Sequence, residues 1–297
     1  MGRYTLPVTV VYIVAMLVVM GLFDIDHWMQ MLLFGVSTFL MVVLNNSNSL
    51  IRVFSRMVSC SFMVLSLMIP SLFDSLEGGI SQVMFIIALL FFLDTYQDRR
   101  SMGKIFFAFS CLGVVSTQFF QVLFFIPFIW FLLFTSLQSG SLKVIVASIL
   151  GILAPYWFWL CWCLHNGCHT CILDHVMTVT DFGSIAEGLF TPQLIIPILL
   201  IATLGIAGTV HFLANSFADN IKTRMFYNVF IMLFFATLIF IVLQPQHSDY
   251  LLRMLIICAS PLVAHFFTFT NTWLTNLSFY AVLVTTIVIT VLNTWIF

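Results

Sequence analysis

The sequence predicts an all-α fold: a polytopic transmembrane helical bundle of about eleven spans, forming one integral membrane domain over residues 1–297. Three observations carry this. Hydrophobic residues make up 62% of the chain and charged residues 7%, against about 25% charged in a soluble domain. Ten basic and eleven acidic residues do not cover a water-facing surface for 297 residues, so the apolar excess is surface that meets lipid. Apolar runs of near-spanning length recur from end to end, and the basic residues fall in every second gap between them. Phe34 is one of 34 phenylalanines, a usage suited to a lipid-facing or tightly packed bundle. The net charge of −1 points to no nucleic-acid partner.

Breaks in the apolar pattern place spans at 5–23, 28–44, 57–73, 80–94, 105–117, 119–136, 143–164, 192–213, 225–243, 251–270 and 277–296. The first follows Arg3 as a signal sequence would. It ends in Asp24-Ile25-Asp26 with no small-x-small cleavage site, which reads as an uncleaved first span. The stretch 105–136 is short for two crossings, and a re-entrant hairpin there keeps the same parity.

Charge sets the orientation. Arg3, Arg52, Arg56, Arg99, Arg100, Lys104, Lys143, Lys222 and Arg224 share one face if the chain goes out and back between Lys104 and Lys143. Short basic loops stay in the cytoplasm, so the N-terminus is inside and the C-terminus outside a bacterial inner membrane. Asp24, Asp26, Asp74, Glu77, Asp174, Asp181, Glu187 and Asp249 then lie on the outer face. That face reads either as ordinary solvated loops or as an acidic surface that binds a cation or performs acid–base chemistry.

Candidate sites concentrate there. Asp24 and Asp26, in Phe23-Asp24-Ile25-Asp26-His27-Trp28, are the candidate catalytic pair. Two carboxylates so placed hold a divalent cation or share a proton, and a polar turn with Trp28 as interfacial anchor is the plainer reading. Asp74 to Gly79 reads mainly as a turn. The longest loop, about 165–191, opens with Cys161, Cys163, His165, Cys168, His169 and Cys171. His165, Cys168, His169 and Cys171 suit a soft metal such as zinc, a disulfide, or inert cysteines, while Cys161 and Cys163 still belong to the span. Farther on, Ile172, Val176 and Val179 share a face opposite Thr170, Asp174, Thr178 and Asp181, which predicts a short amphipathic helix lying on the outer leaflet. Arg253, with His247 just before it, is the candidate for a lipid phosphate. An arginine there also snorkels to headgroups or pairs with Asp249.

Within the spans, Gln118, Gln121, Asn228, His265 and Asn293 read as interhelical hydrogen-bonding groups. Pro127, Pro155, Pro197 and Pro261 interrupt helices, and Tyr156, Trp157, Trp159 and Trp162 form an outer aromatic belt. Gly205, Ala207 and Gly208 offer a small-residue face for another helix.

Two resemblances follow. Asn45-Asn46-Ser47-Asn48-Ser49-Leu50-Ile51-Arg52, with Leu150-Gly151-Ile152-Leu153-Ala154-Pro155-Tyr156, resembles a family of uncharacterised polytopic inner-membrane proteins of the Bacteroidota, over most of the chain. It implies no activity. More loosely, the span count, the acids of the first outer loop and the interfacial helix are similar to the GT-C polyprenyl-phosphate-sugar glycosyltransferases. By position Asp24 and Asp26 match the paired acids of that class, although the loop here is about four residues rather than long. That resemblance implies a membrane lipid, in the form of a polyprenyl-phosphate-linked glycan, as partner, and handling of an envelope precursor at the outer leaflet. The alternatives are a small-solute transporter or channel, and a structural subunit of a membrane complex.

Overall fold

The structure, a computed structural model, describes residues 9–14, 28–167, 175, 177, 192–270 and 273–295. Every regular element among them is helical, because a backbone in lipid must satisfy its own hydrogen bonds. Residues 9–14 are helical. Then come α1 (Trp28–Asn48), α2 (Met57–Leu67), α3 (Leu76–Leu93), α4 (Met102–Ser116), α5 (Ile126–Thr135), α6 (Leu142–His165), α7 (Pro192–Asn215), α8 (Ile221–Leu243), α9 (Ser248–Phe269) and α10 (Trp273–Trp295). Six stretches among the described residues are long and apolar enough to cross a membrane: α1, α3, α6, α8, Gln193–Ala218 and Pro245–Phe269.

From residue 28 on, the predicted apolar runs coincide with these helices, with local differences of clear origin. Helix α1 runs past residue 44 because Asn48 Nδ2 donates to the Leu44 carbonyl, and it stops where Ser49 turns to φ +49°. The span expected at 57–73 is instead α2 followed by a 3-10 turn, Pro70–Phe73, since Pro70 cannot continue the helix. Most of 5–23 and the predicted amphipathic helix fall outside the described residues.

The chain divides into two compact units, one of residues 1–79 and 185–297, the other of 80–184. In the first, α9 is the core: every residue from Leu251 to His265 is buried, and the helix packs on α2, α7 and α8. Helix α2 is buried from Val58 to Leu67. Gly205 of α7 lies against Phe234, and Gly208 against the Leu262 backbone, so this small-residue face packs inside the chain. The basic segments meet at one end: Arg52 Nη1 donates to the Ala218 carbonyl at 3.0 Å, and the Thr223 hydroxyl to that of Ser49 at 3.5 Å. At the opposite end the part-buried Asn293 donates to the carbonyls of Met68 (3.1 Å) and Gln193 (3.2 Å), the interhelical role expected of it.

In the second unit, Gln97 N–H donates to the Leu137 carbonyl at 2.8 Å, and Ser141 Oγ to that of Arg99 at 3.5 Å. The stretch between these contacts therefore goes out and back as a hairpin: α4, the 3-10 turn Phe120–Phe125, and α5. Helices α4 and α6 cross in backbone contact. A Cβ on Gly151 would stand 2.5 Å from the Phe106 carbonyl oxygen, and one on Gly113 would stand 2.8 Å from that of Ile152.

Candidate functional site

Beside the close contact at Gly113 and Gly151 lies an open groove between α4 and α6. Pro155 has no N–H to offer the Gly151 carbonyl, and its ring packs against Gly113 while also lining the groove. The groove has a volume of about 530 Å³ and is lined by Ser110, Val114, Thr117, Ala154, Pro155, Phe158 and Trp159. Its chemistry is apolar with two hydroxyls.

A second feature adjoins it. His175 is one of two described residues between Cys168 and Thr191. Its Nε2 lies 2.9 Å from the Ser116 carbonyl, which fixes Nε2 as the protonated nitrogen, and the Tyr156 hydroxyl donates to the same oxygen at 3.1 Å. The imidazole meets Phe120 and Trp159 edge-on, with ring centroids 5.4 and 5.0 Å away. Trp159 belongs to both groove and aromatic nest. His175 is thus held beside Trp159, at the edge of the groove lining.

In the first unit, Arg253 is buried at 4% exposure near the start of α9. Its Nη2 donates to Asp249 Oδ1 (3.1 Å), to Ser75 Oγ (3.0 Å) and to the Leu72 carbonyl, and its Nε to Asp249 Oδ2 (3.4 Å). Ser75 Oγ donates in turn to Asp249 Oδ2 at 2.8 Å. This is the ion-pair alternative for Arg253. A phosphate reaching the same edge of the guanidinium must displace Asp249. His247 occupies the N-cap of α9, and its Nε2 lies 3.3 Å from Gln246 Nε2. Glu77 accepts from the Tyr250 hydroxyl at 3.5 Å.

Asp24, Asp26, Cys168, His169 and Cys171 lie outside the described residues. His165 is the exposed last residue of α6, and Cys161 and Cys163 precede it in that helix as expected. Among the described residues no three His, Cys, Asp or Glu side chains gather as a metal site.

One polar cluster had no counterpart in the sequence reading. His265 is fully buried, and its Nε2 lies 3.1 Å from Asp219 Oδ2. Asp219 is itself 8% exposed, and its other oxygen stands 3.9 Å from Arg52 Nε. The His211 ring centroid is 5.4 Å from that of His265. His265 was read from sequence as a deep polar group, but nothing in the sequence pointed from it to Asp219 or His211.

No protein-family model, curated protein or solved structure matches the chain.

Proposed function

We propose that this is a multi-pass inner-membrane protein of about eleven spans, with its basic ends in the cytoplasm, that binds a lipid-linked envelope glycan precursor at the outer leaflet. The supporting observation is the groove between α4 and α6. At about 530 Å³ it falls in the roughly 300–1,000 Å³ range of ligand pockets. It is apolar along the helices, where an isoprenoid chain lies. It includes Trp159, which packs against Tyr156 and His175, where a phosphate–sugar headgroup meets aromatic rings and polar edges. Arg253 serves as an internal strut in this reading. Asp24 and Asp26 supply the acid–base pair or cation ligands if the lipid is turned over, as the likeness to the GT-C class implies.

The test is photo-crosslinking of the full chain in nanodiscs with a diazirine-bearing polyprenyl phosphate, followed by peptide mapping. Labels are expected at Val114, Ala154 and Phe158, and Trp159→Ala is expected to lower their yield about tenfold, equivalent to ~1.4 kcal/mol. Label spread evenly over all lipid-facing helices overturns the binding site. Glycosyl transfer lost in Asp24→Asn or Asp26→Asn with crosslinking unchanged marks a transferase, whereas crosslinking without transfer marks a non-catalytic relative.

A further inference from the structure

His265 sits in a ring of aromatic groups. The centroids of Phe269, Tyr227, Phe212 and His211 lie 4.7, 5.1, 5.2 and 5.4 Å from its own. A carboxylate only accepts, so the contact with Asp219 places the imidazole proton on Nε2 and leaves Nδ1 as a bare lone pair. That Nδ1 is buried with no hydrogen-bond partner, and so is Nδ1 of His211. Two unsatisfied imidazole nitrogens on neighbouring rings are rare in a folded interior, because each costs about 1–3 kcal/mol when left unpaired.

The groups facing this pair complete the picture. His211 comes from α7, part-exposed and four residues before that helix ends at Asn215. Asp219 comes from the segment between α7 and α8. Arg52 comes from the basic segment after α1, with a half-exposed side chain and its guanidinium 4.5 Å from the Phe269 ring centroid. Tyr227 comes from α8, its hydroxyl donating to the Pro261 carbonyl at 3.4 Å. Partial exposure reaches the interior through His211, and the carboxylate that receives charge is Asp219.

We propose that His211, His265 and Asp219 form a proton-binding relay that opens at the basic end of the first unit. A proton enters at His211 and passes, directly or over one water, to Nδ1 of His265. One N–H bond breaks at His211 and one forms at His265. The ring becomes an imidazolium paired with the Asp219 carboxylate, the dyad's net charge rises from −1 to zero, and His211 returns to neutral. Because Asp219 sits between α7 and α8 while His265 sits in α9, the bound proton tightens the joint between these helices.

The alternative is a permanent staple, with His265 uncharged at all working pH values. Nitrogen-15 histidine NMR of the full chain in nanodiscs separates the two, with His265 assigned from His265→Asn or, should that variant not fold, from the perturbation in Asp219→Asn. Expected is the Nε2–H tautomer at high pH, a doubly protonated ring at low pH within the window of roughly 5 to 8, and a His265 midpoint displaced by Asp219→Asn. His211→Phe is expected to slow solvent exchange at His265 about tenfold or more while leaving its tautomer unchanged. A His265 that keeps one uncharged tautomer across the whole window overturns the proposal, as does exchange unaffected by His211→Phe.

Discussion

Helix α9 buries a nitrogen base at each end, and the two ends are built in opposite ways. Arg253 and His265 stand twelve residues apart, about 18 Å along the axis. At the Arg253 end a permanent cation meets Asp249, Ser75 and the Leu72 carbonyl. At the His265 end a titratable ring meets one carboxylate and keeps an unpartnered nitrogen beside a second such ring. A guanidinium does not lose its proton in a protein, so the first end has one charge state and serves as a strut. An imidazole has two within the physiological range, so the second end has a state to change. What separates strut from switch is whether acceptors and donors are matched, since Arg253 and His265 are themselves both buried.

The largest effect expected from this contrast is at the strut. Arg253→Ala removes the donor to a carboxylate, a hydroxyl and a backbone carbonyl together, and breaking a buried pair in this way costs about 3–5 kcal/mol. Thermal unfolding in detergent at pH 6 and pH 8 is expected to show the same loss at both. Arg253→Lys keeps the charge but loses the fork that reaches Asp249 and Leu72 together, and is expected to fall between wild type and alanine. A loss under about 1 kcal/mol for Arg253→Ala erases the contrast.

Two glycines sharpen it next. A Cβ on Gly78 would stand 2.5 Å from both Asp249 Oδ2 and Ser75 Oγ and 2.6 Å from Arg253 Nε. A Cβ on Gly208 would stand 2.6 Å from the Leu262 carbonyl oxygen, which is backbone and does not swing aside. Gly78→Ala and Gly208→Ala each introduce overpacking worth about 1–3 kcal/mol. Their second readouts differ. Gly208→Ala pushes α7 off α9 and separates His211 from His265, so it is expected to change the His265 titration. Gly78→Ala is expected to leave that titration unchanged, and a change there shows that the ends are coupled through α9.

The difference between the ends also explains what the sequence could reveal. Asp249 and Arg253 are four residues apart on one helix, so their pairing was legible as spacing alone. Asp219 and His265 are 46 residues apart with α8 between them, and their meeting depends on how α7, α8 and α9 pack. The helices were legible because each apolar run carries its own length signal. The stretch 105–136 was ambiguous for the same reason, since 15 residues in α4 and 10 in α5 rise only about 22 and 15 Å, short of a core about 30 Å thick. What settles the path is the contact of Gln97 with Leu137, which no hydropathy pattern contains. The groove beside Pro155 was half legible: proline and the aromatic belt were noted, but the close approach at Gly113 and Gly151 that shapes the groove was not. Asp24 and Asp26, the acids with the clearest sequence rationale, fall outside the described residues and stand on that rationale alone.

The smallest effect expected is at Arg52, and it is the most discriminating. Arg52 and Arg253 carry the same charge and each faces an aspartate. Arg52 has a side chain 48% exposed, with its Nε 3.9 Å from Asp219, and Arg253 has one 4% exposed. Water and salt screen the Arg52 pair, so its contribution is about 0–1 kcal/mol, with a comparable amount from stacking on Phe269. Arg52→Gln is therefore expected to lower the melting temperature only slightly, and less at about 0.5 M salt, where the screening length falls to roughly 4 Å, than at low salt. Its effect on His265 is expected to be larger than its effect on stability, because Arg52 and His265 share the two oxygens of one carboxylate. If instead Arg52→Gln destabilises the protein as much as Arg253→Ala, burial is not what distinguishes the two arginines, and the basic end is a second strut with no room for a proton to come and go.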